Sequence, residues 1–370
     1  MEQENMIRVA ITHGDTNGIG YEVILKTFAD PAMLEICTPI IYGSPKVAAY
    51  HRKALNLDTN FSIINKADEA QNGRINLLTC FDEEVKVDLG QPSEEAGQAA
   101  FKALDRAMTD YRSRLFDVLV TAPINKATIQ SPVFSFHGHT EYIETSVGDG
   151  AKALMILMNE TLRVALVTTH LPIKDVSTAI TKEAILEKAT IFHQSLKRDF
   201  RISNPRIAVL SLNPHAGDNG LLGSEEQEII KPAIEELEKK GIQAFGPYAA
   251  DGFFGSNAYY HFDGVLAMYH DQGLAPFKTI ALESGVNFTA GLPIVRTSPD
   301  HGTAYDIAGQ GIADENSFRQ AIYTAIDVFR NRTTYDEPLQ NPLPKLFHEK
   351  RDDSEKVRFA IPKAKDKAES

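Results

Sequence analysis

Three histidines share one context along the chain. His170 ends the run RVALVTTH, His215 ends RIAVLSLNPH and His270 ends GVLAMYH, so each follows an apolar, β-branched segment. Such segments are typical of buried parallel strands, and the carboxyl ends of these strands line the ligand crevice of α/β proteins. Neutral imidazoles that meet at this edge would suit a divalent ion. A shared metal site and three separate capping or hydrogen-bonding roles both remain open from the residues alone.

Polar side chains accompany these histidines. Asp251 lies in YAADGFF, Asp271 directly follows His270, and Asn213 precedes His215 by two residues. Carboxylates of this kind orient imidazole ligands by accepting their second ring N–H, or they serve as general acid and base. Ordinary loop chemistry after strands explains the same residues, so their pattern does not choose between the two interpretations.

Two glycine-rich stretches could bind a ligand through the main chain. The first, AITHGDTNGIGYEVILKTF, has a strand, a turn with Gly14, Gly18 and Gly20, and a helix, but lacks the G-x-G-x-x-G spacing. A helix N-terminus facing an anion and a tight turn explain it equally well. The second runs from Ser298 to Ser317, and its glycines would let backbone atoms approach a flat or phosphorylated ligand while Asp306 binds ribose hydroxyls. A simple Asp/Gly turn is the alternative.

The elements that would position these residues alternate along the chain. Apolar runs that predict strands begin at Arg8, Pro39, Asp117, Arg163, Arg206 and Gly264. Helical spacing is found from Ser93 to Arg112, from Lys182 to Phe200 and from Glu225 to Lys240. This alternation predicts the α/β class. After about Thr333 the sequence becomes Pro-rich with mixed charge, which is typical of a partly disordered appendage.

Composition excludes several classes of protein. With 370 residues, 43% of them hydrophobic, the chain is expected to form two domains. A formal net charge of -12 disfavours nucleic acid and anionic membranes as partners, so an anionic substrate would need local Lys and Arg. The two cysteines, Cys37 and Cys80, suggest neither a disulfide framework nor a thiolate zinc site. We therefore expect a cytoplasmic protein with no membrane segment.

Four longer motifs carry a family resemblance: HGHTE from His137, NPHAGDNG from Asn213, MYHDQG from Met268 and GLPIVRTSPDHGTA from Gly291. Together they closely resemble the 4-hydroxythreonine-4-phosphate dehydrogenase family of vitamin B6 biosynthesis, over roughly Arg8 to Arg332.

This resemblance implies an isocitrate/isopropylmalate dehydrogenase-like fold, with two α/β/α domains and a cleft between them. The expected division is a cofactor-side domain of residues 1–130 plus 275–332, a metal, substrate and dimerisation domain of residues 131–274, and an extension of residues 333–370.

The resemblance also implies roles for individual residues. The loop from His301 to Gly311 would bind NAD through His301, Gly302, Asp306 and Gly309. Asp306 would accept the ribose hydroxyls and repel the extra phosphate of NADP. The implied ligands of a divalent ion (zinc, magnesium or cobalt), shared within a homodimer, are His170, His215 and His270. The implied substrate-binding residues are His139, Thr140, Lys278, Asn287 and Arg296. Lys278 and Arg296 would pair with the carboxylate and phosphate of a small phosphorylated hydroxy acid.

The implied reaction is an NAD-dependent, metal-assisted oxidation of 4-phosphooxy-L-threonine, followed by loss of carbon dioxide to give 3-amino-2-oxopropyl phosphate. Asp251, Asp271 and Lys126 of TAPINK are the unranked candidates for proton transfer. Departures from the family pattern in THGDTNGIGYE and ADGFF keep threonate 4-phosphate open as the substrate. A His-rich metallohydrolase, which activates water, and a catalytically silent metabolite-binding protein are the alternatives from other classes.

Overall fold

The computed structural model describes residues 6–81, 84–136, 138–148 and 150–342. His137, the first residue of the HGHTE motif, lies outside these ranges, as do residues 343–370 of the expected extension.

The strands of the described residues form one sheet in the order β3-β4-β2-β1-β5-β12-β11-β6-β7-β10-β8-β9. They are β1 Arg8–Thr12, β2 Thr38–Gly43, β3 Phe61–Ile64, β4 Ile75–Thr79, β5 Val118–Thr121, β6 Leu154–Met158, β7 Arg163–Leu166, β8 Arg206–Leu210, β9 Gln243–Tyr248, β10 Gly264–Ala267, β11 Val286–Ala290 and β12 Val295–Pro299. The six strands predicted from apolar runs are confirmed as β1, β2, β5, β7, β8 and β10.

The sheet contains two parallel sets that run in opposite directions. In the first set β1 pairs in parallel with β2 and β5, and β12 pairs in parallel with β5. In the second set β10 pairs in parallel with β7 and β8. Between the sets, β11 is antiparallel to β12 and β6, and β6 is antiparallel to β7. Three successive antiparallel pairings therefore reverse the strand direction at the centre of the sheet.

The helices connect these strands. They are α1 Gly20–Ala29, α2 Met33–Ile36, α3 Pro45–Ala54, α4 Glu94–Arg112, α5 His139–Val147, α6 Ile173–Ala179, α7 Lys182–Arg198, α8 Lys231–Lys239, α9 Ala250–Gly255, α10 His270–Ala281 and α11 Asn316–Gln340. The helix predicted from Ser93 is confirmed as α4, with the Ser93 hydroxyl accepting the Ala96 N–H at 3.2 Å. Within the described part of the chain, no helix has the length and apolar character needed to cross a membrane.

Helices cover both faces of the sheet. Both faces need to be covered because successive side chains of a strand point to opposite faces. Val9 and Ile11 of β1 belong to a core that includes residues of α1 and α11, whereas Ala10 faces a second core with α4. In the other half, Val209 of β8 packs in the core that contains α7 and α8, and Leu210 packs with α9 and α10. The expected α/β/α layering is confirmed.

Helix α11 passes the residue at which the C-terminal extension was expected to begin. Arg332 is buried, donates from Nε to Asp199 Oδ1 at 2.6 Å, and donates from Nη1 to the Leu292 carbonyl at 3.0 Å. Beyond it, Asp336 accepts from Arg198 Nε at 2.9 Å. Residues 333–340 therefore continue a helix that the Arg198–Asp336 ion pair attaches to α7.

Candidate active site

A cavity of about 420 Å³ lies over the central strands of the sheet. It extends from Thr121 at the end of β5, across side chains of β11 and β12, to Leu166 and His170 at the end of β7. The residues expected from the sequence that line it are Lys126, His139, Thr140, His170, Asn287, Arg296, His301 and Gly302. The cavity therefore sits where the two parallel sets of strands meet, which is the usual place for a ligand in an α/β sheet.

Arg296 places a positive charge in the floor of this cavity. It lies on β12 and is 3% exposed. Its Nη2 and Nε donate to Thr121 Oγ1 at 2.6 and 3.1 Å, and its Nη1 donates to Thr289 Oγ1 at 3.2 Å. Burial lowers the pKa of the guanidinium to about 10. Since these partners within the described residues are neutral, the buried cation is suited to receive an anionic ligand.

His139 lies against Arg296 at the start of α5. Its Nδ1 is 3.4 Å from Arg296 Nη2, and the side chain is buried. Burial, followed by the charges of Arg296 and Lys126, holds the pKa of His139 well below its usual value of 6.5. Because Arg296 can only donate, the neutral ring accepts at Nδ1 and carries its proton on Nε2. His139 can therefore donate a hydrogen bond to an anion beside the guanidinium.

Polar groups of the opposite character complete the cavity. Asn287 of β11 has a buried Oδ1 for which the described residues provide no hydrogen-bond donor. Glu141 and Glu144 of α5 also line the cavity, and Glu144 Oε2 accepts the Ala153 N–H at 2.9 Å. The site therefore combines donors for an anion with acceptors for an ammonium or hydroxyl group, and these can orient a substrate that carries both kinds of group.

The structure brings His170 and His270 together. Their rings are 6.1 Å apart between centroids, and they follow the neighbouring parallel strands β7 and β10. His270 Nδ1 is 2.7 Å from Asp271 Oδ1, while His170 Nε2 is 3.3 Å from Lys126 Nζ. Asp271 accepts the Nδ1 proton of His270 and leaves Nε2 with a lone pair, as is usual for histidine ligands of metals.

His215 follows β8, the other parallel neighbour of β10, so the three histidines come from adjacent strand ends. It begins a turn in which residues 215–219 all have positive φ. The turn is held by Glu226, which is 1% exposed and accepts the backbone N–H groups of Leu212 and Asn213, each at 2.8 Å. His215 is exposed at the surface.

These donors fit a divalent ion in part. Two imidazoles that ligate one ion have centroids roughly 5 to 6.5 Å apart, given a metal–nitrogen distance near 2.1 Å, and the His170–His270 spacing falls in this interval. However, no group of three His, Cys, Asp or Glu side chains in the described residues is arranged to hold a metal ion. Of the three expected ligands, the structure therefore brings together His170 and His270.

The loop expected to bind NAD borders the cavity at its first residues, His301 and Gly302. Burial lowers the pKa of His301, and its Nδ1 lies 3.0 Å from the Gly302 carbonyl. Further along, Asp306 is exposed, and Gly309 has a φ of +79°. Gly309 suits this position because a Cβ there would meet Leu89 Cδ1 at 2.5 Å.

Other expected site residues lie apart from the cavity lining. Lys278 Nζ is 3.0 Å from Asp300 Oδ1 and 2.9 Å from its carbonyl oxygen. Asp251 is exposed on α9, and Asp271 is 84% exposed beside His270. Of the three residues considered for proton transfer, Lys126 lines the cavity of a single chain.

Sequence reasoning missed several residues of the site. Thr121 and Thr289 hold Arg296, and Lys188 of α7 lines the cavity. Thr121 ends a predicted strand, so its position could have indicated a role. Thr289 and Lys188 carry no such signal, because a threonine in a strand and a lysine on an amphipathic helix are both ordinary.

Fold and cavity together define an α/β protein with a cavity over a buried arginine, Arg296, at the centre of its sheet. Residues 35–325 match the model of the family described as Pyridoxal phosphate biosynthetic protein PdxA, and the chain belongs to this family.

Named relatives cover nearly the whole chain. A 4-hydroxythreonine-4-phosphate dehydrogenase from Bacteroides thetaiotaomicron is 67% identical over 357 residues, which is 96% of this chain and 98% of the relative. A protein of Oceanobacillus iheyensis, named as a candidate D-threonate 4-phosphate dehydrogenase, is 38% identical over 86% of this chain and 97% of its own length. The crystal structure of 4-hydroxythreonine-4-phosphate dehydrogenase from Klebsiella pneumoniae superposes with a TM-score of 0.76 at 32% identity, covering 89% of this chain and 99% of that one.

Proposed function

We propose that the protein catalyses the NAD-linked, divalent-metal-dependent oxidation and decarboxylation of 4-phosphooxy-L-threonine, giving 3-amino-2-oxopropyl phosphate for vitamin B6 biosynthesis. Family membership and the names of the relatives support this reaction. The structural observation that carries the proposal is Arg296, a buried cation inside the cavity whose described hydrogen-bond partners are neutral. A substrate with a phosphate and a carboxylate supplies the missing negative charge.

The cavity has cations for both anionic ends of this substrate. Arg296 and the Nε2 proton of His139 would bind one end together with the Thr140 hydroxyl. Lys188, which also lines the cavity, would face the other end. In this proposal Lys278 acts through Asp300, to which it is paired within one chain.

The acceptors in the cavity favour 4-phosphooxythreonine over threonate 4-phosphate. The two acids differ at C2, which carries an ammonium in the first and a hydroxyl in the second. Asn287 Oδ1 could accept a hydrogen bond from either group. The carboxylates of Glu141 and Glu144 would offset the charge of an ammonium and gain less from a neutral hydroxyl. Threonate 4-phosphate is the alternative substrate.

The cofactors supply the parts of the reaction that side chains cannot perform. A divalent ion held by His170, His215 and His270 would lower the pKa of the substrate hydroxyl and later stabilise negative charge as carbon dioxide leaves, while NAD would accept the hydride. Lys126, whose Nζ lies 3.3 Å from His170 Nε2 at the cavity wall, would exchange a proton with that hydroxyl. Asp271 holds the His270 ring, and Asp251 remains a further candidate for proton transfer.

We further propose a homodimer in which two chains complete each metal site. Within one chain His170 and His270 lie together while His215 is exposed at the surface, and this arrangement supports the proposal. Apolar side chains near two of the histidines are exposed, namely Leu171, Ile173, Leu221 and Leu222. A second copy of the chain would cover them and bring additional ligands.

The loop of residues 301–311 would carry NAD into the cavity, with His301 and Gly302 nearest the substrate and Asp306 exposed for the ribose hydroxyls. In this proposal the cofactor-side and metal-side domains meet between β11 and β6 of the continuous sheet. Free thiols at Cys37 and Cys80 support a cytoplasmic location.

The test is NADH formation, followed by absorbance, with 4-phosphooxythreonine and with threonate 4-phosphate, each with and without a chelator. We expect turnover of the first that the chelator abolishes and that added metal restores. Turnover of threonate 4-phosphate alone would transfer the proposal to the alternative substrate. Full activity in metal-free protein would remove the metal from the mechanism, and no NADH from either acid would overturn the dehydrogenase.

A further inference from the structure

The glycine-rich turn after β1, residues 13–20, is closed to an external anion. Every residue of this turn is buried. A Cβ at Gly14 would collide with the Pro123 carbonyl, and one at Gly20 would collide with the His13 carbonyl. The start of α1 is therefore packed inside the protein, and of the two interpretations left open by the sequence the tight turn is the one observed.

The outer side of this turn contacts the first part of the loop proposed to bind NAD. The Ile19 N–H donates to the Thr303 carbonyl at 3.0 Å. The Tyr305 hydroxyl donates to Asp15 Oδ2 at 2.8 Å, while Asp15 Oδ1 accepts the Asn17 N–H at 2.9 Å. Asp15 is 1% exposed, so its carboxylate fixes both the turn and Tyr305, the neighbour of Asp306.

Helix α1 holds the last part of the same loop. Lys26 Nζ donates to the carbonyls of Gly311 at 2.8 Å and Ala313 at 2.6 Å. Glu22 Oε1 accepts the Ala313 N–H and lies 2.9 Å from it and from Lys26 Nζ. The loop is thus attached at residues 303–305 and again at residues 311–313, with exposed Asp306 between the two attachments.

A third contact supports the loop from residues 88–91. Asn17 accepts the Asp88 N–H at 2.9 Å and donates from Nδ2 to the Gln91 carbonyl at 2.8 Å. Between them, Gly90 lies so close to the loop that a Cβ would be 2.8 Å from the Tyr305 carbonyl. Through Asn17, the turn therefore also fixes the position of residues 88–91, which lie against the loop.

We propose that the turn of residues 13–20 and the first turns of α1 position the cofactor loop, with Asp15 and Lys26 as positioning residues that act through Tyr305 and through Gly311 and Ala313. This inference rests on the proposed function, since it assumes that the loop binds NAD. When the loop already has its binding conformation before NAD binds, the free energy of NAD binding is not reduced by the cost of ordering the loop. Loss of either attachment should therefore weaken NAD binding and leave substrate binding unchanged.

The variants are Tyr305→Phe, which removes a hydroxyl, and Lys26→Met, which removes two donors from the loop. Their matched controls are Tyr50→Phe and Lys53→Met, because both residues are exposed on α3. Binding of NADH by fluorescence titration and the KM for NAD, the KM for substrate and kcat are measured on the full chain.

We expect each variant to raise the NADH Kd and the KM for NAD at least about ten-fold, because each loses at least one hydrogen bond that involves a charged group. The KM for substrate and kcat should stay within about two-fold, and the controls should match wild type. An unchanged NADH Kd in both variants overturns the proposal. Equal losses in all kinetic constants, with lower thermal stability, also overturn it by showing a general structural role.

Asp306→Ala separates this inference from the proposed function. If Asp306→Ala weakens NADH binding and Tyr305→Phe and Lys26→Met do not, the loop binds NAD but the turn does not position it. If wild-type protein does not bind NADH, the proposed function fails and the positioning role fails with it.

Discussion

Glu226 accepts hydrogen bonds from Asn213 with both carboxylate oxygens. Its Oε1 accepts the backbone N–H at 2.8 Å, and its Oε2 accepts from the side-chain Nδ2 at 3.0 Å. Directly afterwards the chain enters the turn of residues 215–219, where His215 has a φ of +52°. A left-handed conformation costs an L-residue roughly 1–2 kcal/mol. The hydrogen bonds of a buried carboxylate therefore offset local strain at a proposed metal ligand.

Replacing Glu226 by Gln should release this turn. The amide would offer a donor to groups that are themselves donors, so we expect a loss of about 2–4 kcal/mol in the free energy of unfolding. Hydrogen exchange at residues 212–219 should become faster. Glu225→Gln is the matched control, because Glu225 Oε2 accepts from Asn213 Nδ2 at 2.7 Å, whereas the backbone N–H groups of Leu212 and Asn213 donate to Glu226. Equal stability of the Glu226 variant and wild type contradicts the interpretation.

Arg296→Met should change stability and activity in opposite directions. Removal of a buried cation with neutral partners should stabilise the ligand-free protein by about 1–2 kcal/mol, whereas kcat/KM should fall at least about a hundred-fold. Arg332→Met is the control, because Arg332 is buried against Asp199 and its loss should cost about 3–5 kcal/mol. Thermal unfolding measures the change in stability, and initial rates measure the change in activity. If the Arg296 variant is less stable than wild type, the positive charge of Arg296 is compensated in the ligand-free protein and this interpretation is wrong.

Asp306→Ala should reduce the preference for NAD over NADP. The exposed carboxylate is proposed to pair with ribose hydroxyls and to repel a 2′-phosphate. We expect the ratio of kcat/KM values for the two cofactors to shift at least about ten-fold toward NADP. Asp314→Ala, at an exposed acidic residue just after the loop, is the control. An unchanged ratio removes Asp306 from cofactor selection.

Acid should destabilise the protein through two buried histidines. His13 and His51 each stack on the Tyr21 ring, with centroids 5.1 and 5.0 Å away, and burial lowers the pKa of each to about 4. Between the unfolded value of 6.5 and about 4, the unfolded chain binds protons that the folded chain does not. Stability is therefore fully present above pH 6.5, falls through this interval by about 3 kcal/mol for each histidine, and levels off below it.

Urea unfolding between about pH 7.5 and about pH 4.5 tests this dependence. His51→Gln keeps a donor for the Thr16 carbonyl, which lies 2.8 Å from His51 Nε2, and should show a weaker loss of stability with acid. His261→Gln, at an exposed histidine, should behave like wild type. Identical slopes for the His51 variant and wild type would mean that this imidazole does not control the acid response.

Mixed dimers test whether the metal site is shared between chains. Each of His170→Ala, His215→Ala and His270→Ala should be inactive as a homodimer. When two variants with ligands from opposite chains refold together, about half the dimers are mixed and each contains one intact site, so activity should return to roughly a quarter of wild type. Because His170 and His270 lie together in one chain, we expect recovery in pairings that include His215→Ala. No recovery in any pairing, with mixed dimers demonstrated, places the ligands in one chain.

The sequence predicted those parts of the fold in which one physical signal dominates. Strands such as β1 and β8 are almost wholly buried, so their apolar runs stand out. Strands β11 and β12 were overlooked because VNFTA and VRTSP carry the polar residues that face the cavity. The strand β6, LMILM, is apolar, but the reversal it introduces depends on pairing across the sheet, which local patterning does not reveal.

The sequence predicted the residues of the candidate site only in part. Strand ends identified the three histidines, and the family resemblance identified His139, Asn287 and Arg296, which the structure brings into one cavity with Lys126. Lys278 and Asp251 lie outside the cavity lining. Within a single chain Lys278 forms an ion pair with Asp300, and Asp251 is exposed on α9. The buried support of Asp15 for Tyr305 joins residues 290 apart in sequence, and such a pairing has no local signature.

The reversal of strand direction under the cavity affects how new specificities could arise. Arg296 and Asn287 stand on strands whose backbones are bonded to neighbours on both sides. An exchange there must preserve register and burial, so the floor tolerates little variation. The rim, by contrast, is formed by residues that follow strands or begin helices, such as Lys126, Thr140 and His170. Adaptation to another phosphorylated acid should therefore accumulate on the rim, while the floor that is proposed to bind the anion should stay the same in enzymes with different substrates.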